Sequence, residues 1–180
     1  MARIPTIDLF SGAGGLSLGL KKSNFHPVLA VEIDKHAVET YRENFKGTEV
    51  YDKDIRSKSF KKYRGVVDLV AGGPPCQPFS VAGFQKSHKD PRDMIPEFIR
   101  AVREIAPKAF MMENVVGLTS PRHRQYLAMV LVELRSLGYF VSPPKVLNAA
   151  EHGVPQFRRR LIIIGTKEEG FTYPEASHGD

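Results

Sequence analysis

Val66-Val67-Asp68-Leu69-Val70-Ala71-Gly72-Gly73-Pro74-Pro75-Cys76-Gln77-Pro78-Phe79-Ser80 lies near the middle of the 180-residue chain. Residues Val66 to Ala71, apolar apart from Asp68, read as a buried strand, and the glycine and proline pairs then stop it in a turn. A strand that is apolar nearly throughout belongs in a sheet covered on both faces. Cys76 is the single cysteine of the sequence. A free cysteine usually behaves as a small buried hydrophobe, but Pro75, Gln77 and Pro78 make a poor core. Two prolines before it and one after stiffen the turn, so the thiol is held rigidly and presented outward, as a nucleophile is displayed.

Working outward, strand and helix patterns alternate. Ile4 to Phe10, Val28 to Ile33, Ala109 to Met112 and Leu161 to Ile164 are further short apolar runs. Asp34 caps a helix in which Val38, Tyr41 and Phe45 recur at helical spacing. Ile95, Phe98, Ile99, Val102 and Ile105 form one stripe over three turns, stopped by Pro107. Ser120 and Pro121 start a helix whose buried face is Leu127, Val130, Leu131, Leu134 and Leu137, ended by Gly138. This order implies an α/β fold, a mostly parallel sheet with helices on both faces, in which ligands bind at the carboxyl ends of strands. No repeat or linker breaks the chain, so a single domain is expected.

Composition sets bounds. The chain is 42% hydrophobic and 26% charged, with a net charge of +6, which modestly favours a polyanionic partner. No stretch approaches the roughly 18 apolar residues of a membrane span, and no signal peptide is seen, so no membrane partner is expected. One cysteine excludes an internal disulfide framework and suggests a reducing, cytoplasmic setting. One cysteine with scattered histidines, His88 and His152 among them, gives no zinc site, and no metal is expected.

Asp8-Leu9-Phe10-Ser11-Gly12-Ala13-Gly14-Gly15-Leu16 joins the first strand to the first helix. Glycines there let the backbone approach a ligand, and a helix N-terminus offers free N–H groups. Glu32 closes the second strand near the spacing at which an acid accepts hydrogen bonds from a ribose. Asp54 follows the third strand, placed to meet an adenine amino group. The plainer alternative is a tight strand-to-helix turn with two capping acids.

Glu113, at the end of the Ala109–Met112 run and followed by Asn114, is a carboxylate in partial burial at the same sheet edge as Cys76, suited to carry a proton. Gln156-Phe157-Arg158-Arg159-Arg160 precedes the last strand. Strand alternation turns Arg158 and Arg160 to one side and Arg159 to the other. Two guanidiniums facing one site suit a phosphate or a carbonyl oxygen, and they are also candidates for lowering the thiol pKa. Phe79 to Arg92 lacks periodicity and reads as a long loop beside the nucleophile.

Four segments together resemble the DNA cytosine-C5 methyltransferase family: Asp8 to Gly15, Pro74-Pro75-Cys76-Gln77-Pro78-Phe79-Ser80, Glu113-Asn114-Val115, and Gln156-x-Arg158-x-Arg160. They stand in the family's order across nearly the whole chain. The resemblance implies a Rossmann-like S-adenosylmethionine-dependent methyltransferase fold and S-adenosylmethionine as cofactor, with S-adenosylhomocysteine as product. By the same resemblance Phe10 packs on the adenine, Glu32 holds the ribose, Ile33 and Ile55 flank the base and Asp54 meets its amino group. Ser11, Gly12, Ala13, Gly14, Gly15 and Leu16 approach the methionine part, with Gly73, Pro75 and Ile95 nearby. It makes Cys76 the nucleophile on C6 of a flipped-out cytosine, Glu113 its partner at N3 and the exocyclic amine, and Arg160 the ligand of O2, supported by Arg158. Ser80 and Asn114 are then substrate-binding residues and the Phe79–Arg92 loop a cover. Double-stranded DNA is the implied partner, in a restriction-modification setting.

The family continues past the final arginines into a target-recognition domain and a C-terminal segment. Residues 1–180 are therefore expected to be one catalytic and cofactor-binding domain, incomplete relative to the family and needing a complementary target-recognition polypeptide. A tRNA cytosine-C5 methyltransferase, an inactive cofactor-binding regulatory scaffold and a nucleotide-dependent oxidoreductase are the rival readings.

Overall fold

Side-chain alternation along the first strand decides which layer lies on which face. The computed structural model describes residues 3–75 and 92–179, so Cys76, Ser80 and all of the Phe79–Arg92 loop but Arg92 lie outside the described residues. In β1 (Ile4–Leu9), Ile7 and Leu9 turn to one face of the sheet and Thr6 and Asp8 to the other, all four buried. β2 (Phe25–Val31) repeats this, with Leu29 and Val31 on the first face and Ala30 on the second.

α3 (Ile95–Ile105) and α4 (Arg124–Ser136) cover the face of Ile7 and Leu9, whereas α1 (Gly15–Lys22) and α2 (Lys35–Asn44) cover the other. The stripe expected on α3 is its buried face: Ile95, Phe98, Ile99, Val102 and Ile105 are all in the core. Each contributes about 1.5–3 kcal/mol relative to exposure. Ala106 adopts a left-handed cap, and Pro107 prevents continuation. Asp34 caps α2, its Oδ1 accepting the Ala37 N–H at 2.8 Å. Ser120 and Pro121 open a short 3₁₀ turn, Pro121–His123, and α4 starts after it.

The remaining strands are β3 (Glu49–Tyr51), β4 (Leu69–Gly72), β5 (Ala109–Val115), β6 (Phe140–Val141), β7 (Lys145–Asn148) and β8 (Arg159–Thr166). The sheet runs β3-β2-β1-β4-β5-β8-β6, with β7 also paired to β8. Strands β1 to β5 are parallel, and β6, β7 and β8 are joined in antiparallel pairs. The order reverses between β1 and β4, and in such sheets the crevice outside that switch point is where ligands bind.

All five strands expected from the sequence differ from their expected bounds: β1 stops at Leu9, β2 spans Phe25–Val31 and leaves Glu32 just beyond it, β8 spans Arg159–Thr166, and β4 and β5 differ in ways that bear on the site. β4 starts at Leu69 rather than Val66, because pairing begins where the Asp68 N–H donates to the Pro5 carbonyl; Val66 stays exposed. β5 continues past Met112 to Val115 because β8 pairs with its whole length, so Glu113 and Asn114 sit inside the strand. Beyond β8 the chain turns back: the Tyr173 hydroxyl donates to the Ile162 carbonyl, and the Ser177 and His178 N–H groups both donate to the Glu151 carbonyl.

Candidate active site

The carboxyl ends of β1, β2, β4 and β5 and the start of β8 share one edge. β8 runs antiparallel to β5 and sets Arg160 opposite Val115. From there the Arg160 Nε forms an ion pair with Glu113 Oε1 at 2.8 Å, and Arg158 Nη2 donates to the same oxygen at 3.5 Å. The alternation expected of the triplet thus turns two guanidiniums onto one carboxylate, while Arg159, in step with Leu161 and Ile163, points to the other face. All three partners are partly exposed, so the group is open to a ligand.

The other oxygen of Glu113 faces the turn after β4. A Cβ built on Gly73 would stand 3.2 Å from Glu113 Oε2, tighter than normal packing, so a side chain there would press on the carboxylate. Asn114 is 3% exposed and holds the same turn: its Nδ2 donates to the Pro74 carbonyl at 3.0 Å, and its Oδ1 accepts the Val115 N–H. The Pro75 carbonyl accepts the Met94 N–H at 3.1 Å. Pro74 and Pro75, the residues leading into Cys76, are therefore fixed from β5 and from the start of α3.

On the β1 side, Phe10 has φ +60° and Gly12 φ +54°, so the backbone turns sharply at the end of the strand. For a bulky residue such as Phe10 a left-handed backbone is a strained outlier, and such strain gathers at ligand-binding turns. A Cβ on Gly12 or Gly15 would meet open space. Gly14 is needed for a different reason: at φ +97° a Cβ would collide with the Phe45 ring at 2.4 Å, so this glycine lets α1 approach α2. Ser11 is buried, Ala13 and Gly15 lie along the turn and Leu16 packs beneath it against Leu20 and Ala71.

Glu32 reaches over this turn. Its Oε2 accepts the Gly12 N–H at 2.8 Å, and its Oε1 accepts those of Ile33 and Asp34 at 2.8 and 2.9 Å. A carboxylate has about four acceptor sites, so three N–H donors leave room for a ligand hydroxyl. Ile33 is 63% exposed next to it. Asp54 caps the 3₁₀ turn Ile55–Ser57 through the Arg56 N–H and also receives the Arg56 Nε at 3.0 Å, which holds its carboxyl below the usual range. Ile55 and Ile95 are both buried in the core rather than on the surface. The sequence reading thus placed two sets of residues at one sheet edge: the acid and arginines around β5, and the glycine turn with Glu32 around β1.

Two buried carboxylates escaped it. Asp8 is 0% exposed; its Oδ2 accepts the Ser17 hydroxyl at 2.6 Å, and its Oδ1 has no partner among the described residues. Because Ser17 spends its proton on Asp8, the Tyr41 hydroxyl 2.7 Å away is the donor to Ser17. Burial pushes the Asp8 pKa up to about 7 and that of Tyr41 to about 12. Asp93 accepts the Ile95 N–H at 3.1 Å and the Tyr126 hydroxyl, tying α3 to α4. The signal available in sequence was the rule that an acid inside an apolar strand needs a partner. Among the described residues no group of three His, Cys, Asp or Glu is placed to hold a metal, and no helix is long and apolar enough to cross a membrane.

A doubly covered, mostly parallel sheet, with a glycine turn at its switch point and an acid and arginines further along the same edge on β5 and β8, is a Rossmann-like fold shared with S-adenosylmethionine-dependent methyltransferases. The crystal structure of a protein assigned as a DNA modification methyltransferase, from a prophage of E. coli, superposes with a TM-score of 0.77 at 34% identity, covering 91% of this chain and 47% of that one. The model of the C-5 cytosine-specific DNA methylase family matches residues 4–178, and the chain belongs to that family. It is 45% identical to the type II methyltransferase M1.HphI of Haemophilus parahaemolyticus, over 96% of this chain and 48% of the relative. It is 41% identical to M.AquIA of Picosynechococcus, over 96% of this chain and 76% of that relative. Against M1.HphI, then, the chain spans about half the relative's length. The family draws its methyl group from S-adenosylmethionine.

Proposed function

We propose that these residues are the catalytic and cofactor-binding portion of a DNA cytosine-C5 methyltransferase of a restriction-modification system. The observation that carries the reading is the convergence of Arg158 and Arg160 on Glu113, beside the pinned Gly73-Pro74-Pro75 turn that leads into Cys76. Cytosine C5 is a poor nucleophile while the ring is aromatic. The Cys76 thiolate adds to C6, and the electron pair moves into the ring toward C5 and N3. Glu113 hydrogen-bonds N3 and the exocyclic amine and so stabilises the added electron density, while Arg160 stabilises charge at O2 and Arg158 supports it. After methylation a base removes the C5 proton, the ring double bond reforms, and the sulfur leaves. A stacked duplex blocks this approach, so the base is flipped out.

The residues present fit the cofactor. Open space over Gly12 and Gly15, spare acceptor capacity on Glu32 and a carboxylate at Asp54 match a methionine group, a ribose and an adenine in that order along the edge. Bound there, S-adenosylmethionine supplies an electrophilic methyl group. Phe10, Ile33 and Ile55 bound the adenine end, and Gly73, Pro75 and Ile95 lie toward the reacting end. Ser80 is assigned to the DNA backbone. Asn114 serves by fixing Pro74.

Reading of the DNA sequence is assigned to polypeptide outside these 180 residues. The test is methyl transfer to plasmid DNA and to tRNA, with and without a co-expressed downstream polypeptide, using Cys76→Ser as the dead control. Transfer to DNA that needs the second polypeptide is expected, together with covalent trapping by a fluorinated cytosine. Robust methylation by the chain alone refutes the need for a partner. Preference for tRNA, or absence of any trapped adduct, refutes the reading of the substrate or of the thiol.

A further inference from the structure

Residues 52–68, between β3 and β4, contain two 3₁₀ turns, Ile55–Ser57 and Lys61–Tyr63, and form no strand. Their shape is held instead from α3. Arg100 Nη2 donates to the Ile55 carbonyl at 2.9 Å and Nη1 to the Lys58 carbonyl at 3.0 Å. The same guanidinium is itself held by Glu97 Oε2 at 2.7 Å and Glu104 Oε1 at 2.9 Å, one turn to either side on the helix. Glu104 Oε2 accepts the Phe60 N–H at 2.6 Å, and the Phe60 ring lies under the guanidinium at 5.5 Å. Arg64 closes the far end, donating to the carbonyls of Arg103 and Glu104. Arg100, Glu97 and Glu104 are mostly buried, so their contacts are less screened than surface pairs.

The planar fork of an arginine spans two carbonyls and two carboxylates at once; an ammonium cannot. Asp54 stands just before the first clamped carbonyl, its carboxylate held by the Arg56 side chain, and Ile55 bears that carbonyl; these are the pair assigned above to the adenine. We infer that Arg100 is a positioning residue for cofactor recognition: it sets the backbone at Ile55 and Lys58 and thereby the reach of the Asp54 carboxylate toward the adenine amino group. This rests on the adenine reading of Asp54. It concerns selectivity for the base and leaves the reacting atoms untouched.

The experiment is titration of the purified chain with S-adenosylhomocysteine and with its inosine analogue, in which an oxo group replaces the amino group. The unaltered chain is expected to prefer the adenine form by roughly tenfold, the worth of one hydrogen bond. Arg100→Ala and Arg100→Lys should both lose most of that preference while retaining a cooperative thermal transition, and Asp54→Asn should lose it too. Adding Arg100→Ala to Asp54→Asn should cost no further selectivity. Folded Arg100 variants that keep the preference while Asp54→Asn loses it overturn the inference and leave the adenine reading standing. No preference in the unaltered chain, or a preference surviving in Asp54→Asn, overturns both. Should Arg100→Ala fail to fold, Glu104→Gln probes the same clamp from its other arm: loss of preference there supports the inference, and retention overturns it.

Discussion

At the scale of single residues the candidate site is a carboxylate whose two oxygens have different surroundings, one facing guanidiniums and the other facing the Gly73 turn. Glu113→Gln keeps the shape but removes the carboxyl group and its pairing with the guanidiniums, and should lower methyl transfer by about 10²–10³-fold while leaving cofactor affinity within a factor of about three; steady-state rates with a separate binding titration check it. Asp8 gives a pH dependence. Its folded pKa of about 7 lies above the free value of 3.8, so the folded chain keeps a proton that the unfolded chain loses. Stability contributed by this group therefore falls as pH rises from about 4 to about 7 and is level above that. Asp8→Asn should flatten that slope, as read from unfolding midpoints between pH 4 and 8. Glu113, Arg158 and Arg160 were legible because strand alternation alone decides which arginines share a side. Asp8 was not, since its partner Ser17 and the Tyr41 that bonds Ser17 come from two helices and leave no local pattern.

At the scale of elements, the strands and helices that carry the site were legible wherever apolar periodicity was long. α3 is the clearest case, and its stripe is buried as the spacing requires. Phe98 packs edge-to-face on Phe110 of β5 at 6.3 Å, so Phe98→Ala should cost about 3–5 kcal/mol, seen as a lowered denaturant midpoint at unchanged slope. The start of β4 was misplaced because apolar character does not reveal where pairing with neighbours begins. The antiparallel direction of β8 was hidden too. Direction is fixed by connections of irregular length, here the two short strands β6 and β7, whose few residues carry no periodicity. That direction is what brings Arg160 to Glu113.

At the scale of the whole molecule, the net charge of +6 is not spread evenly in its consequences. Arg122, Arg124, Arg158 and Arg159 are exposed around the edge that holds the site, together with Phe157, which is 92% exposed. If this edge meets the DNA backbone, Arg122→Ser with Arg124→Ser should reduce the slope of log affinity against log salt by about 2, at about 0.9 per phosphate contact. An unchanged slope in a filter-binding series would place the DNA elsewhere. The returning tail has a practical corollary. Because the Ser177 and His178 N–H groups donate to the Glu151 carbonyl, beside the arginines, a purification handle or fluorescent fusion joined just after these residues would emerge at the rim that holds Glu113 and Arg160. One attached ahead of β1 would exit from the opposite rim, a full strand length away, and is the attachment point to choose for any tethered or surface-immobilised assay.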